Sequence, residues 1–193
     1  GVGVGEAVAA ADRIEDLRET QAALFALESL DKAEDHLKYA QIDFDEGEYS
    51  QSFRELKKSI KLINEVESQL AFQKYIDEAG KIMDRLSATL DDFSPVLDLS
   101  PKMLKYFTKG PDGGDQYVSI SGGLPPHEFR EIATEMYHHA GYLEVPEKAK
   151  VIHNDFTDML NDVRLAGVYF EKLIVLNEFE TESREKIINR AYD

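Results

Sequence analysis

Apolar residues recur along the first forty-odd positions at steps of three, four and seven. Ile14, Leu17, Leu24, Leu27, Leu30, Ala33, Leu37, Ala40 and Phe44 share one stripe. The positions between them are mostly charged, and neither Pro nor Gly interrupts the run. The pattern predicts one amphipathic helix from about Glu6 to Phe44. A second stripe, from about Tyr49 to Phe93, passes through Phe53, Leu56, Ile60, Ile63, Leu70, Ile82, Leu86 and Leu90. Its register slips around Ala71 to Tyr75, where a kink or break is expected. Asp45-Glu46-Gly47-Glu48 separates the two stripes, with Gly47 available as a helix C-cap. A turn that short requires the flanking helices to be antiparallel.

The middle of the chain loses this periodicity. Five of the six prolines (Pro95, Pro101, Pro111, Pro125, Pro126) and five of the twelve glycines lie between residues 95 and 126. Ser100-Pro101 reads as an N-cap followed by Pro at the first helical position, opening a short helix through Met103, Leu104 and Phe107. Lys109 to Asp115 is turn material, and Tyr117 to Ser121 alternates like a strand, enough for a small hairpin or an extended arm. Helical spacing returns from Pro126 to about Ala140 with Phe129, Ile132, Ala133, Met136 and Ala140 inward, and Gly141 ends it. A longer helix is expected from Pro146 through Ile152, Phe156, Met159, Val163, Phe170 and Leu173. Thr181 caps a further terminal helix, Glu182 to Ala191.

The predicted fold is therefore all-α, an antiparallel helical bundle of four main helices plus short ones. Its organisation is a long helical hairpin at 1–94, a Pro/Gly-rich connection or arm at 95–126, and C-terminal helices at 127–193 packing on the hairpin as one domain. A connection of about 30 residues within a compact fold is usually functional or wraps the body.

Charge narrows the set of partners. The 193 residues carry 22 Lys+Arg against 38 Asp+Glu, a formal net charge of −16. Residues 1–50 alone hold 13 acidic and 4 basic residues. Nucleic acid is thereby excluded as a partner, since each phosphate meets net repulsion. The acidic first helix is either a solvated face or a docking face for a basic partner, where charge steers encounter. No apolar run approaches the ~20 residues that span a bilayer. Zero Cys excludes disulfides, thiolate nucleophiles and Cys-ligated metal. The opening Gly-Val-Gly-Val-Gly run suits the mature side of a signal or transit cleavage and equally suits a fragment. An organelle lumen or exported compartment is expected ahead of cytoplasm.

The candidate chemistry is sparse. Glu131, Glu135, His138 and His139 cluster on the helix from Pro126, and Glu135-Met136-Tyr137-His138 has the Glu-x-x-His spacing that puts carboxylate and imidazole on one face. Di-iron bundles need two such motifs and two further glutamates. One copy occurs here, and His153, Asp155 and Asp158 on the next helix would have to complete a mononuclear site. Against a metal, Met136 and Ala140 define the buried side and the histidines fall beside it. Glu135, His138, His139 and His153 are thus the weak metal candidates, while no cofactor is expected. Phosphate-cradling Gly-rich loops and a nucleophile elbow are absent, so no catalytic residue is assigned and an enzyme is not expected. Tyr106, Phe107 and Tyr117 of the arm are candidate partner anchors, because interfaces favour aromatics.

Two resemblances add to this reading. Gly47-Glu48-Tyr49-x-x-Ser52-x-x-x-Leu56-x-x-Ser59-Ile60 resembles the turn and second helix of a tetratricopeptide repeat, in which small residues such as Ser52 and Ser59 let helices approach closely. Such a unit cannot bury its own face, and no second copy follows at 34 residues. Asn161-Asp162-Val163-Arg164-Leu165 with Tyr169, and Leu24-Phe25 followed by Leu30-Asp31-x-Ala33, resemble helices of the PsbQ-like family, four-helix bundles on the lumenal side of photosystem II. The two stretches stand in the opposite chain order to that family's. Its usual Trp is absent, Phe156 being the nearest aromatic. The resemblance implies a cofactor-free extrinsic subunit that docks and shields in the thylakoid lumen, and it carries no functional residue over.

The expectation is a non-enzymatic accessory subunit that docks on and stabilises a larger protein assembly, including one embedded in a membrane. A small-molecule or metal-binding bundle and a tetratricopeptide-like adaptor are the alternatives.

Overall fold

The computed structural model describes the backbone of residues 2–97, 107–109, 115–117 and 123–192, and the side chains within 3–96 and 123–172. The chain is all-α apart from one small ribbon. In order it forms α1 (Val2–Arg18), α2 (Ala22–Phe25), α3 (Leu27–Asp45), α4 (Tyr49–Leu97), β1 (Phe107–Lys109), β2 (Asp115–Tyr117), α5 (Pro126–Gly141), a 3-10 turn at Glu147–Ala149 and α6 (Lys150–Tyr192). The chain contacts fall into two compact units, 1–76 and 77–193, with the boundary inside α4.

The first unit packs α1, α3 and the first half of α4. Gly47, at φ +82°, takes the left-handed conformation that closes α3 and reverses the chain. Small residues then recur every seven positions on both facing helices. Ser59 Oγ donates to Ala33 O at 2.7 Å and Ser52 Oγ donates to Ala40 O at 2.6 Å. Ala26 and Val66 continue the series at the other end of the same buried cluster. The missing side-chain bulk brings the two backbones close, as the tetratricopeptide resemblance implied for Ser52 and Ser59. Onto this pair α1 lays Ala10, Ile14 and Leu17. Arg13 fixes its register, with Nε donating to Glu67 Oε1 at 2.8 Å and Nη2 to Asn64 Oδ1 at 2.6 Å. Arg18 reaches Asp31 and Glu34 on α3, both at 2.8 Å. So α1 runs parallel to the start of α4 and antiparallel to α3.

The second unit packs the end of α4 with α5 and the first half of α6. Ile82 and Leu86 meet Ala133, Met136, Ala140, Phe156 and Leu160. Phe93 stacks on Phe129 at 4.1 Å between ring centroids and meets Phe170 edge-on at 5.3 Å. Pro95 sits inside α4, where it has no N–H for the carbonyl of Asp91. One residue on, Asp92 O accepts the N–H of Leu124 at 2.8 Å, tying the returning chain to the helix end. β1 and β2 pair antiparallel, with Phe107 opposite Tyr117.

Several expected boundaries moved. The single helix at 6–44 is broken at residues 19–21 and again at Ala26. Thr20 causes the first break: its Oγ1 donates to Leu17 O at 2.7 Å and accepts Ala22 N–H at 3.1 Å, replacing the helical ladder with a local turn. At this corner Leu24 and Leu27, expected on the buried stripe, are 88% and 51% exposed. No break falls near 71–75, where a kink or a break is expected: α4 is one continuous helix to Leu97. Ile152 is exposed rather than inward. The separate helix expected at Glu182–Ala191 is the end of α6. Of the short helix expected after Ser100-Pro101, only Phe107 is described, and it opens β1.

Candidate docking site on the first unit

The residues facing α3 and α4 from α1 grow along the helix: Gly3, Ala7, Ala10, Ile14, Leu17. At the Leu17 end the groove between α3 and α4 is filled. At the Gly3 end the covering residues are Gly3, Ala7 and an exposed Val4, which leave it unfilled. The result is an open cavity of about 210 Å³ walled by Ala40, Phe44, Tyr49, Phe53 and Leu56 with Gly3 and Ala7. A Cβ added at Gly3 would meet nothing within 4 Å.

The rim is aromatic and exposed. Phe44 is 42% exposed, Phe53 49% and Tyr49 64%, with Val4, Val8, Tyr39 and Ile42 also exposed nearby in sequence. Phe44 and Tyr49 meet edge to face at 5.3 Å, and Lys57 Nζ lies 4.6 Å from the Phe53 ring centre. Two polar side chains of the wall are engaged: Ser52 with Ala40 O, and Gln41 Nε2 donating to Asp45 Oδ1 at 2.9 Å. Asp43, Asp45, Glu46 and Glu48 lie in or beside the turn that borders the cavity, and residues 39–53 contain no Lys, Arg or His. Among the described residues, this unit's ion pairs link Arg13 to Glu67, Arg18 to Asp31 and Glu34, and Lys32 to Glu28. The others link His36 and Lys58 to Glu55, Lys38 to Glu34 and Asp35, and Lys61 to Glu65. The four turn acids belong to none of them.

Further along the same helix pair, Glu55 is 7% exposed. Its Oε1 accepts from Lys58 Nζ at 2.7 Å and its Oε2 lies 2.6 Å from His36 Nδ1. The Lys58 hydrogen bond first, and the His36 contact second, hold its carboxyl below the usual carboxylate range.

The metal candidates are spread out. Glu135 forms an ion pair with Arg85 at 2.7 Å. His138 and His139 are exposed in the last turn of α5, and the His138 ring lies 5.7 Å from that of Tyr137. His153 is half-buried on α6. Among the described residues, no group of three or more His, Asp or Glu side chains could hold a metal ion. Of the arm residues, Phe107 and Tyr117 are register partners in the ribbon, and Tyr106 lies outside the described residues. Among the described residues no helix is long and apolar enough to cross a membrane.

Known proteins add little to this geometry. No family model matches the chain, and no solved structure matches it. A stretch of 95 residues, 49% of this chain, is 34% identical to a 4-hydroxy-tetrahydrodipicolinate synthase from Chlorobium phaeobacteroides (strain BS1). The matched stretch spans 29% of that protein's length.

Reading the sequence by hydropathy alone missed the cavity. Gly3 and Ala7 are too small to register in an apolar stripe. The signal lay in their spacing, four apart and then three and four again to Ala10 and Ile14, with size rising along the series.

Proposed function

We propose that this chain is a non-catalytic helical subunit that docks on a larger protein assembly, with the open end of the first unit as its contact surface. The observation that carries the reading is the cavity of about 210 Å³ ringed by exposed Phe44, Tyr49 and Phe53. Drug-sized ligands usually occupy pockets of about 300–1,000 Å³, so this space suits an anchoring side chain better than a whole metabolite. Exposed aromatics around a pocket are the usual anatomy of an interface core. Ser52 and Gln41 are already hydrogen-bonded, and among the described residues the wall holds no charged side chain to activate a substrate.

In its particular form, suggested by the PsbQ-like resemblance, the subunit is extrinsic and lumenal and its partner belongs to photosystem II. Tyr106, Phe107 and Tyr117 of the arm are a second proposed contact.

A photoreactive amino acid placed at Tyr49, and at Tyr142 on the second unit as a control, tests the docking reading in cells that make the protein. Tyr142 is 85% exposed, so accessibility alone does not favour position 49. The expected result is a covalent protein adduct from position 49 and none from 142. Lipid or small-molecule adducts only, no adduct, or equal capture from both positions would contradict the reading.

A further inference from the structure

Resting on that reading, we infer that the occupant of the cavity is a basic amphipathic helix, which lays large apolar side chains into the groove and Lys or Arg against the turn acids. Three observations converge on this partner.

The first is shape. The open space continues the groove between two antiparallel helices, and α1 already fills the rest of it as a helix. A partner helix lying across the rim beside the first turns of α1 can send apolar residues at i and i+3 or i+4 into the space they leave. The second is the quality of the wall. Phe44, Tyr49, Phe53, Leu37 and Leu56 offer apolar contact, and the wall's Gln41 and Ser52 already have hydrogen-bond partners.

The third is charge, which selects among occupants. Asp43, Asp45, Glu46 and Glu48 sit outside the unit's ion pairs, with no cation between residues 39 and 53. A cationic partner gains there what an anionic one loses. A second copy of this chain, at −16, is disfavoured by the same repulsion, and so is an anionic lipid surface.

The test uses three peptides of about 18 residues, roughly five helical turns. One is an amphipathic Leu/Lys helix, one is the same pattern in Leu/Glu, and one is a Leu/Lys scramble with no apolar face. Each is titrated against the full chain, its Ala7→Leu and Phe53→Glu variants, and a variant with Asp43→Asn, Asp45→Asn, Glu46→Gln and Glu48→Gln together. Ala7→Leu fills the cavity from within, so the variant stays folded while the site closes. The expected result is saturable one-to-one binding of the Leu/Lys helix only, weakened by about tenfold or more in each variant and falling as salt rises.

Equal binding of the scramble would overturn the inference, since charge without a groove would suffice. So would equal binding of the Leu/Glu helix, or unchanged binding to Ala7→Leu. Binding to neutral phosphatidylcholine vesicles that Ala7→Leu abolishes, without peptide binding, would assign the cavity to an acyl chain instead. If no peptide binds while Tyr49 still captures a protein in cells, this inference fails and the docking reading stands. If both experiments fail, both readings fall.

Discussion

Single side chains decide how the first unit closes. Ser52 and Ser59 were legible in the sequence only through the tetratricopeptide-like pattern, in which small residues let helices approach, and the structure pairs each hydroxyl with the carbonyl of a facing alanine. Glu55 was not legible, because nothing in a run of charged residues marks which carboxylate will be covered. Its buried position between Lys58 and His36 leads to a pH prediction. A carboxyl held below its ordinary value in the folded state stabilises the fold above the unfolded pKa, about 4.3 for Glu, and loses that contribution as pH falls through the lower folded value. Glu55→Gln removes the term. In urea titrations from about pH 6 down to about pH 3, the wild type should lose more stability than Glu55→Gln does. Parallel losses would show that this carboxylate is not linked to folding.

At the scale of elements, the helices were readable and their ends were not. Periodicity placed α3, α5 and most of α4, since each turns one apolar face inward. It ran α1 through to α3, because Thr20 breaks the ladder through a local hydrogen bond that a hydropathy stripe cannot see. It split α6 at Thr181, where a good capping residue lies inside a continuous helix. The glycines show the same dependence on tertiary context. A Cβ at Gly80, midway along α4, meets nothing within 4 Å. Gly80→Ala should therefore stabilise the protein by about 0.5–1 kcal/mol. A Cβ at Gly167 on α6 would lie 3.0 Å from Arg130 Cα and 3.1 Å from Phe129 Cδ1 on α5. Gly167→Ala should destabilise despite its better helix propensity, because the obstructing atoms include backbone. Thermal unfolding of the two variants checks this, and a gain at both sites would mean that α5 and α6 are not so closely packed. The cavity is also an element-scale consequence, of a helix whose buried stripe tapers from Leu17 to Gly3. Filling it with Ala7→Leu should raise stability, by about 0.5–2 kcal/mol on the usual scale of cavity filling.

Across the whole molecule, the sequence showed the charge asymmetry plainly but not what it surrounds. Thirteen of the acids lie in residues 1–50, and only the fold reveals that four of them stand in or beside the turn between Phe44 and Tyr49, two residues that line an aromatic-rimmed cavity. That juxtaposition turns an acidic helical protein into a proposed docking subunit. Phe53→Glu tests the claim most directly, since it changes a half-exposed rim residue and adds no bulk to a core position. The measurement is the size distribution, in extracts of cells making either form, of wild type and Phe53→Glu matched for helicity by circular dichroism. The account predicts that the wild type elutes with a larger assembly and Phe53→Glu elutes as the free chain. Co-elution of both forms with the assembly, or of neither, would contradict it.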